Sequence, residues 1–392
     1  SGLTSITIGN SVESIGKRTF SGCSSLITIT IPNSVITIGE ATFNGCTSLT
    51  EVRLSELFED NYLSYSLSSS QVIQYGKSND DWIYFKRLSD DLATITGYLG
   101  TGREIEIPDT VNGLSVVQVG IRDGIWDGSP SAIFPNTVTK VVIPDSVTSI
   151  GAKAFYNCTN LTEVSIGKNV TKIGYYVYDG CYALRNIEVD ADNKNYSSEN
   201  GVLFNKDATI LITYPAGKLD ESNSIPVISD SVTSIGDYAF LKCKGLTNIT
   251  IPDSVTSIGE GTFASCSNLS EISIGNSVES IGDYAFLNCT VLTEINVKSD
   301  NENYSSLDGV LFNKNTLLLQ YPKGKSDKSY TIPGSVTSIG DMAFFVCINL
   351  TSIAIGNSVE SIGEATFSGC LKLSTITIPD SVTSIGNNAF HN

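Results

Sequence analysis

Hydrophobic and polar positions recur along this chain with a period far longer than that of a helix or a strand. The repeating unit reads Leu-x-x-Ile-x-Ile-(Pro/Gly)-x-x-Val-x-x-Ile-Gly-x-x-x-Phe-x-x-Cys, with clean copies from Leu246 to Cys266 and from Leu269 to Cys289. Its aromatic position falls at Phe20, Phe43, Phe155, Tyr178, Phe240, Phe263, Phe286, Phe344, Phe367 and Phe390, stepping by 23 residues within each run. Self-similarity at that period marks a stacked-repeat architecture.

Each part of the unit has its own physical reason. Leu269-Ser-Glu-Ile-Ser-Ile274 ends in alternation, so Ile272 and Ile274 face a core while Glu271 and Ser273 face solvent, which predicts a strand. The Pro or Gly that follows stops the strand and starts a corner. Val278 and Ile281 line a second inward segment, and Gly282 marks a place that needs either positive φ or close packing. Ala285, Phe286 and Cys289 fit a single helical turn aimed at the core. One coil buries about seven apolar side chains but has no second layer, so its core closes only when another coil stacks on it. The expected fold is an α/β repeat solenoid of ~23-residue coils, β-rich, with a parallel sheet on its concave face and short helical turns or loops on the other side.

Two irregularities divide the array. Residues 1–56 hold the first coils, and 138–392 hold the main solenoid with inserts at 190–226 and 298–333. The inserts are copies of one module: Asn195-Tyr-Ser-Ser-Glu-Asn-Gly-Val-Leu-Phe-Asn-Lys206 parallels Asn303-Tyr-Ser-Ser-Leu-Asp-Gly-Val-Leu-Phe-Asn-Lys314. Asn-Gly or Asp-Gly before an apolar run signals a tight turn, so each insert is expected to be a small β-meander projecting from one edge. The lead-in Asp190-Ala-Asp-Asn-Lys-Asn lacks the spacing and terminal Glu of a calcium loop, and the second copy loses its first carboxylate, so a polar turn is expected and no metal. The stretch 57–137 carries both Trp residues and a cluster of Tyr and Phe. Ile83–Leu88 and Leu92–Tyr98 read there as a hairpin, followed by a degenerate coil at 105–120, an internal cap or junction.

Composition removes several functions. The net charge of −17 repels polyanions, so nucleic acid is not an expected partner. No stretch is apolar for long enough to span a bilayer. The single His, His391, stands next to the last residue, too isolated for a Ser-His or Cys-His site, and no spacing singles out a pair of carboxylates, so no catalytic residues and no cofactor are expected. All nine Cys lie three residues after a repeat aromatic, a column of small buried fillers whose parallel Cβ vectors disfavour disulfides and whose ligands do not converge on zinc. Coils reading Asp-Ser-Val carry Thr where coils reading Asn-Ser-Val carry Glu; the alternation either reduces like-charge stacking or reflects duplication of two-coil blocks. The chain starts and stops inside a repeat, which fits a piece of a longer array or end-to-end self-association through uncapped coils.

Segments such as Leu373-Ser-Thr-Ile-Thr-Ile-Pro-Asp-Ser-Val-Thr-Ser-Ile-Gly386, followed by Ala389-Phe390, resemble the repeat of BspA-like leucine-rich-repeat proteins almost letter for letter. The resemblance implies a leucine-rich-repeat solenoid at a bacterial or protist surface, and an extracellular or cell-surface adhesion module for host matrix proteins, host cells or other microbes. Within that reading the outward strand positions Thr247, Asn248, Thr250, Ser270, Glu271, Ser273, Thr293, Glu294 and Asn296 are the candidate contacts. Two readings compete with it. A glycan-binding module would use Trp82 and Trp126, whose rings suit sugar faces and interface hot spots, and a ligand-free stalk would use neither.

Overall fold

The computed structural model describes residues 2–32, 34–35, 37–38, 42–43, 45–49, 51–54, 72–74, 76–78, 81–87, 91–98, 102–111, 114–120, 133–218, 226–314 and 316–391. The chain forms two compact units, one of Ser1–Cys158 with Asn169–Tyr178 and the other of Thr159–Lys168 with Asp179–Asn392.

In the first unit, strands Ser5–Thr7, Thr28–Ile31, Glu51–Leu54 and Val72–Gln74 pair in parallel, one per coil. The step is the repeat length: Ile6 stands beside Ile29 and Ile29 beside Val52. Asp81–Arg87 and Leu92–Tyr98 form the expected hairpin. Leu114–Val119 joins it to the coils, pairing in parallel with Leu92–Tyr98 on one side and with Ser149–Ile150 on the other. The degenerate coil is therefore a working rung, and its Ile105, Ile107, Val111, Val116 and Val119 are buried.

The second unit shows the repeat at its cleanest. Strands Asn248–Thr250, Glu271–Ile274 and Glu294–Val297 form one parallel sheet, and Ser234–Ile235, Ser257–Ile258 and Ser280–Ile281 form another. Ile249, Ile272 and Ile295 fill the space behind the first sheet, while Phe240, Phe263 and Phe286 stack with ring centroids 5.3 and 6.0 Å apart. Each stacked pair adds about 0.5–1.5 kcal/mol beyond the area it buries.

The expected helical turns do not form between the repeat's Gly and Cys: among the described residues there is no α-helix. Two residues of each regular coil adopt positive φ, for example Tyr284 and Asn288, or Met342 and Val346. A left-handed residue cannot continue a right-handed helix. The gain is a third ladder. The N–H groups of Tyr238, Phe240 and Lys242 donate forward to the carbonyls of Glu260, Thr262 and Ala264 in the next coil, at 2.8, 2.9 and 2.9 Å. Alternate N–H groups close turns inside the coil, as Leu241 donates to Tyr238 and Cys243 to Phe240. An α-helix would send all of these bonds back along its own coil, leaving adjacent coils unlinked on this side.

The cysteines do more than fill space. Cys266 Sγ donates to the Phe240 carbonyl at 3.0 Å, Cys289 to Phe263 at 3.1 Å and Cys370 to Phe344 at 3.1 Å, each reaching back to the preceding coil. The nine thiols are free; eight are buried and Cys23 is half-buried. Burial pushes Cys158 and Cys289 up to about 12 and raises Cys266 well above the usual thiol value.

Gly282 is needed for close packing and not for positive φ. A Cβ there would lie 2.5 Å from the Glu260 nitrogen and 2.6 Å from the Gly259 carbonyl carbon, both backbone atoms of the preceding coil.

Both inserts are three-stranded antiparallel meanders, Tyr196–Glu199, Val202–Asn205 and Ile210–Thr213, then Tyr304–Leu307, Val310–Asn313 and Leu317–Gln320. They are built into the wall instead of projecting from it. Ile210–Thr213 pairs in parallel with Ser234–Ile235, and Leu317–Gln320 with Ser338–Ile339, so the last meander strand takes the place of a coil's second segment. Val202, Leu203, Phe204, Val310, Leu311 and Phe312 are all buried. The lead-in is a polar turn, with the Asp190 carboxylate accepting from the Asp192 N–H at 2.8 Å. The fully buried Asn193 ties it down: its Nδ2 donates to Gly167 while its Oδ1 accepts from the N–H groups of Asn195 and Tyr196.

Candidate functional site

The nine strand-face residues singled out from the sequence assemble into three columns. The parallel register places Asn248 beside Glu271 and Glu271 beside Glu294, and likewise Thr250 beside Ser273 and Ser273 beside Asn296. Alternation sends the isoleucines between them inward, which leaves both columns facing outward. Thr247, Ser270 and Thr293 form the third column at the strand entry, where Ser270 Oγ donates to the Thr247 carbonyl at 2.9 Å and Thr293 Oγ1 to the Ser270 carbonyl at 3.1 Å. That column stitches coils together, and the hydroxyl protons of Ser270 and Thr293 are already committed.

The other two columns hold the exposed chemistry. Glu271 and Glu294 are exposed carboxylates on adjacent rungs of one sheet. Like charges placed opposite one another in a sheet are destabilising. A single amide relieves the pair: Asn296 Nδ2 donates to Glu271 Oε1 at 3.0 Å and to Glu294 Oε2 at 3.3 Å. Both amide protons are used, and the remaining carboxylate lone pairs point to solvent. The result is a patch rich in acceptors that suits ammonium, guanidinium, amide N–H or hydroxyl donors. In the same unit, the sheet formed by Ser329–Thr331, Ser352–Ala354 and Thr375–Thr377 carries Ser, Thr and Ala at the corresponding outward positions.

Trp82 lies by its backbone in the hairpin strand Asp81–Arg87, but its side chain and the whole of Trp126 are outside the described residues. Among the described residues no group of three or more His, Cys, Asp or Glu is placed to hold a metal ion, and no helix is long and apolar enough to cross a membrane.

Sequence reasoning missed three rungs of the aromatic stack and one buried charge. Phe134 stacks on Phe155 at 5.3 Å, Tyr214 on Phe240 at 5.0 Å and Tyr321 on Phe344 at 5.1 Å. The Tyr-Pro pair that closes each insert was the available signal, Tyr321 falling one 23-residue step before Phe344 and Tyr214 falling 26 residues before Phe240. The buried charge, Lys323, follows the second of these pairs.

Parallel coils, inward isoleucines and an open outward face define the chain as a leucine-rich-repeat solenoid. It belongs to the family of BspA type leucine-rich-repeat regions, whose pattern matches residues 1–79, 130–211, 220–318 and 321–392. Among solved structures, a leucine-rich-repeat protein from Eubacterium ventriosum is similar at 24% identity and a TM-score of 0.50, over 99% of this chain and 82% of that one. A leucine-rich cell surface protein from Faecalibacterium prausnitzii is 27% identical with a TM-score of 0.43, over 83% and 87% of the two chains. A leucine-rich-repeat protein from Bacteroides ovatus is 24% identical with a TM-score of 0.39, over 80% and 79%. No curated protein matches the chain.

Proposed function

We propose that this protein is a non-catalytic binding module of a cell surface, and that it engages a protein ligand through the outward face of strands Asn248–Thr250, Glu271–Ile274 and Glu294–Val297. The observation that carries the reading is the Glu271–Asn296–Glu294 bridge. Two like charges on neighbouring rungs work against the stacking that the rest of the coil promotes, and a sheet serving only as a spacer gains nothing from them. Membership of the BspA-type family supports a repeat scaffold whose ligand is chosen by exposed side chains. The partner chemistry that fits is a Lys- or Arg-bearing segment of an extracellular matrix or cell-surface protein, attracted by the chain's net charge of −17.

The test is binding to a panel of matrix proteins, microbial cells and glycans, with the triple variant Glu271→Gln, Glu294→Gln, Asn296→Ala run alongside. The reading expects a protein or cell ligand whose affinity drops at least tenfold in the triple variant and falls as salt rises. A ligand bound equally by both chains moves the site elsewhere, and a sugar lost on changing Trp82 or Trp126 moves it to the hairpin segment. Silence across the panel leaves a stalk.

A further inference from the structure

The second insert opens a break in the stack. Regular coils run from Gly to Cys through the turn ladder, but after Leu317–Gln320 the chain goes directly into Tyr321-Pro-Lys-Gly324 and supplies no such run. A cleft of about 380 Å³ lies at that place, between Tyr284 and Phe286 on one wall and Asp341, Met342 and Phe345 on the other. The buried core divides here into separate clusters, one reaching Leu311 and the next starting at Val310 and Phe312.

The walls carry an interrupted hydrogen-bond ladder. In intact coils the N–H groups equivalent to Tyr284 and Phe286 donate forward, as those of Tyr238 and Phe240 do to Glu260 and Thr262. Among the described residues, the N–H groups of Tyr284 and Phe286 have no acceptor. Across the cleft, Ala343 accepts from the Tyr321 N–H at 2.8 Å, while the carbonyls of Asp341 and Phe345, which the pattern of Glu260 and Ala264 marks as acceptors, receive no donor among the described residues. Among the described residues, Tyr321 replaces the middle bond of the acceptor wall, and at the cleft's edge the Tyr304 hydroxyl accepts from the Ile281 N–H at 3.0 Å. One wall thus offers donors, the other acceptors, and one strand is missing between them.

Lys323 also lines this cleft. It is 7% exposed, and among the described residues its Nζ has no hydrogen-bond partner. Its Nζ stands 4.7 Å from the centroid of the Phe345 ring, and the buried thiols of Cys347, Cys289 and Cys370 are its electrostatic neighbours. A ring face does not replace the hydration of an ammonium. The fold does not require the charge, because the first insert has Ala216 at the matching place in Tyr214-Pro-Ala-Gly217. Burial pulls the Lys323 ammonium below its usual range, as expected of a cation without an anion.

We propose that this cleft binds an extended peptide segment of a partner protein, which supplies the missing strand between Tyr284–Phe286 and Asp341–Phe345 and sets one side-chain carboxylate on Lys323. Main-chain bonds provide affinity in such strand addition, and the side chain selects the sequence. The ammonium reaches the carboxylate by rotating off the Phe345 ring. The exposed Asp283 and Asp341 at the rim disfavour a peptide with several acidic residues, so a single carboxylate flanked by uncharged residues is the fitting ligand. This site is separate from the strand face proposed above and does not rest on it.

Calorimetric titration of the whole chain with acetyl-Thr-Val-Glu-Val-Thr-amide tests the proposal. One-to-one binding is expected, weakened at least tenfold by Glu→Gln in the peptide or by Lys323→Ala in the protein, with the two changes together no worse than either alone. Replacing the central peptide N–H groups by N-methyl should abolish it. Lys323→Ala copies the first insert, and an unchanged circular dichroism spectrum confirms that it folds. Absence of binding at millimolar peptide, or equal binding by the Gln peptide and by Lys323→Ala, overturns the proposal while leaving the strand-face reading intact.

Discussion

Replacing Gly282 by Ala adds one methyl group at the tightest approach between two coils. The new Cβ would stand 2.5 Å from the Glu260 nitrogen and 2.6 Å from the Gly259 carbonyl carbon, and neither backbone atom can rotate away. Restoring an ordinary contact requires the coils to separate locally by about 1 Å, which ladder spacing of ~4.8 Å does not absorb elsewhere. The Gly282 N–H to Ile258 carbonyl bond at 2.8 Å and the Gly261 N–H to Asp283 carbonyl bond at 2.9 Å lie beside the contact. Stretching them by that amount forfeits them, at about 1 kcal/mol each. Overpacking adds about 1–3 kcal/mol, so the expected loss is about 3–5 kcal/mol. Because coils interact mainly with their neighbours, the damage should stay local. Hydrogen exchange read by mass spectrometry should show amides of 256–263 and 280–289 exchanging about 140- to 4000-fold faster, with distant coils unaffected. Gly334→Ala is the control: no atom lies within 4 Å of its Cβ position, so the change should be neutral or stabilise by about 0.4–1 kcal/mol. Equal exchange in the Gly282 and Gly334 variants would refute the close-packing argument.

Asn301→Ala should loosen the second insert, since Asn301 Nδ2 donates to Gly275 and Val278 while its Oδ1 accepts from the N–H groups of Asn303 and Tyr304. The expected cost is about 2–4 kcal/mol, read as faster exchange across 294–313, and protection equal to the parent chain's would show that the anchor is dispensable. The cysteine column makes stability depend on alkaline pH. Burial raises the folded-state values of Cys158 and Cys289 to about 12, so the folded chain holds protons that the unfolded chain has released. Their contribution is complete below the unfolded thiol value near 9 and is lost as pH climbs towards 12. Urea midpoints should therefore fall between pH 9 and 11 and fall less steeply in a Cys158→Ala, Cys289→Ala chain; parallel curves for the two proteins would contradict it.

Much of this architecture was legible in the chain itself. The 23-residue step states which isoleucines are neighbours, and the structure sets Ile249, Ile272 and Ile295 side by side as that step requires. Alternation within Leu269-Ser-Glu-Ile-Ser-Ile274 likewise decided that Glu271 faces out. Burial patterns are local, so a sequence displays them directly. The candidate contacts could be placed on one face for the same reason, but the amide bridge from Asn296 to both glutamates depends on rotamers that no pattern of residue types specifies.

What the pattern left open was the destination of each backbone hydrogen bond. Ala285, Phe286 and Cys289 suit a helical turn as well as the observed ladder, because both bury the same side chains. The ladder wins since its acceptors are supplied by a coil 22 residues away, as between Phe240 and Thr262, and a local reading cannot see that partner. The same holds for the thiols, which look like fillers until the carbonyl of the preceding coil is in place. It holds as well for the inserts, whose third strand completes a sheet instead of leaving it. Sequence determined which side chains enter the core and how often; only the stacked structure decided which coil satisfies each polar backbone group, because those partners are distant in the chain and adjacent solely after folding.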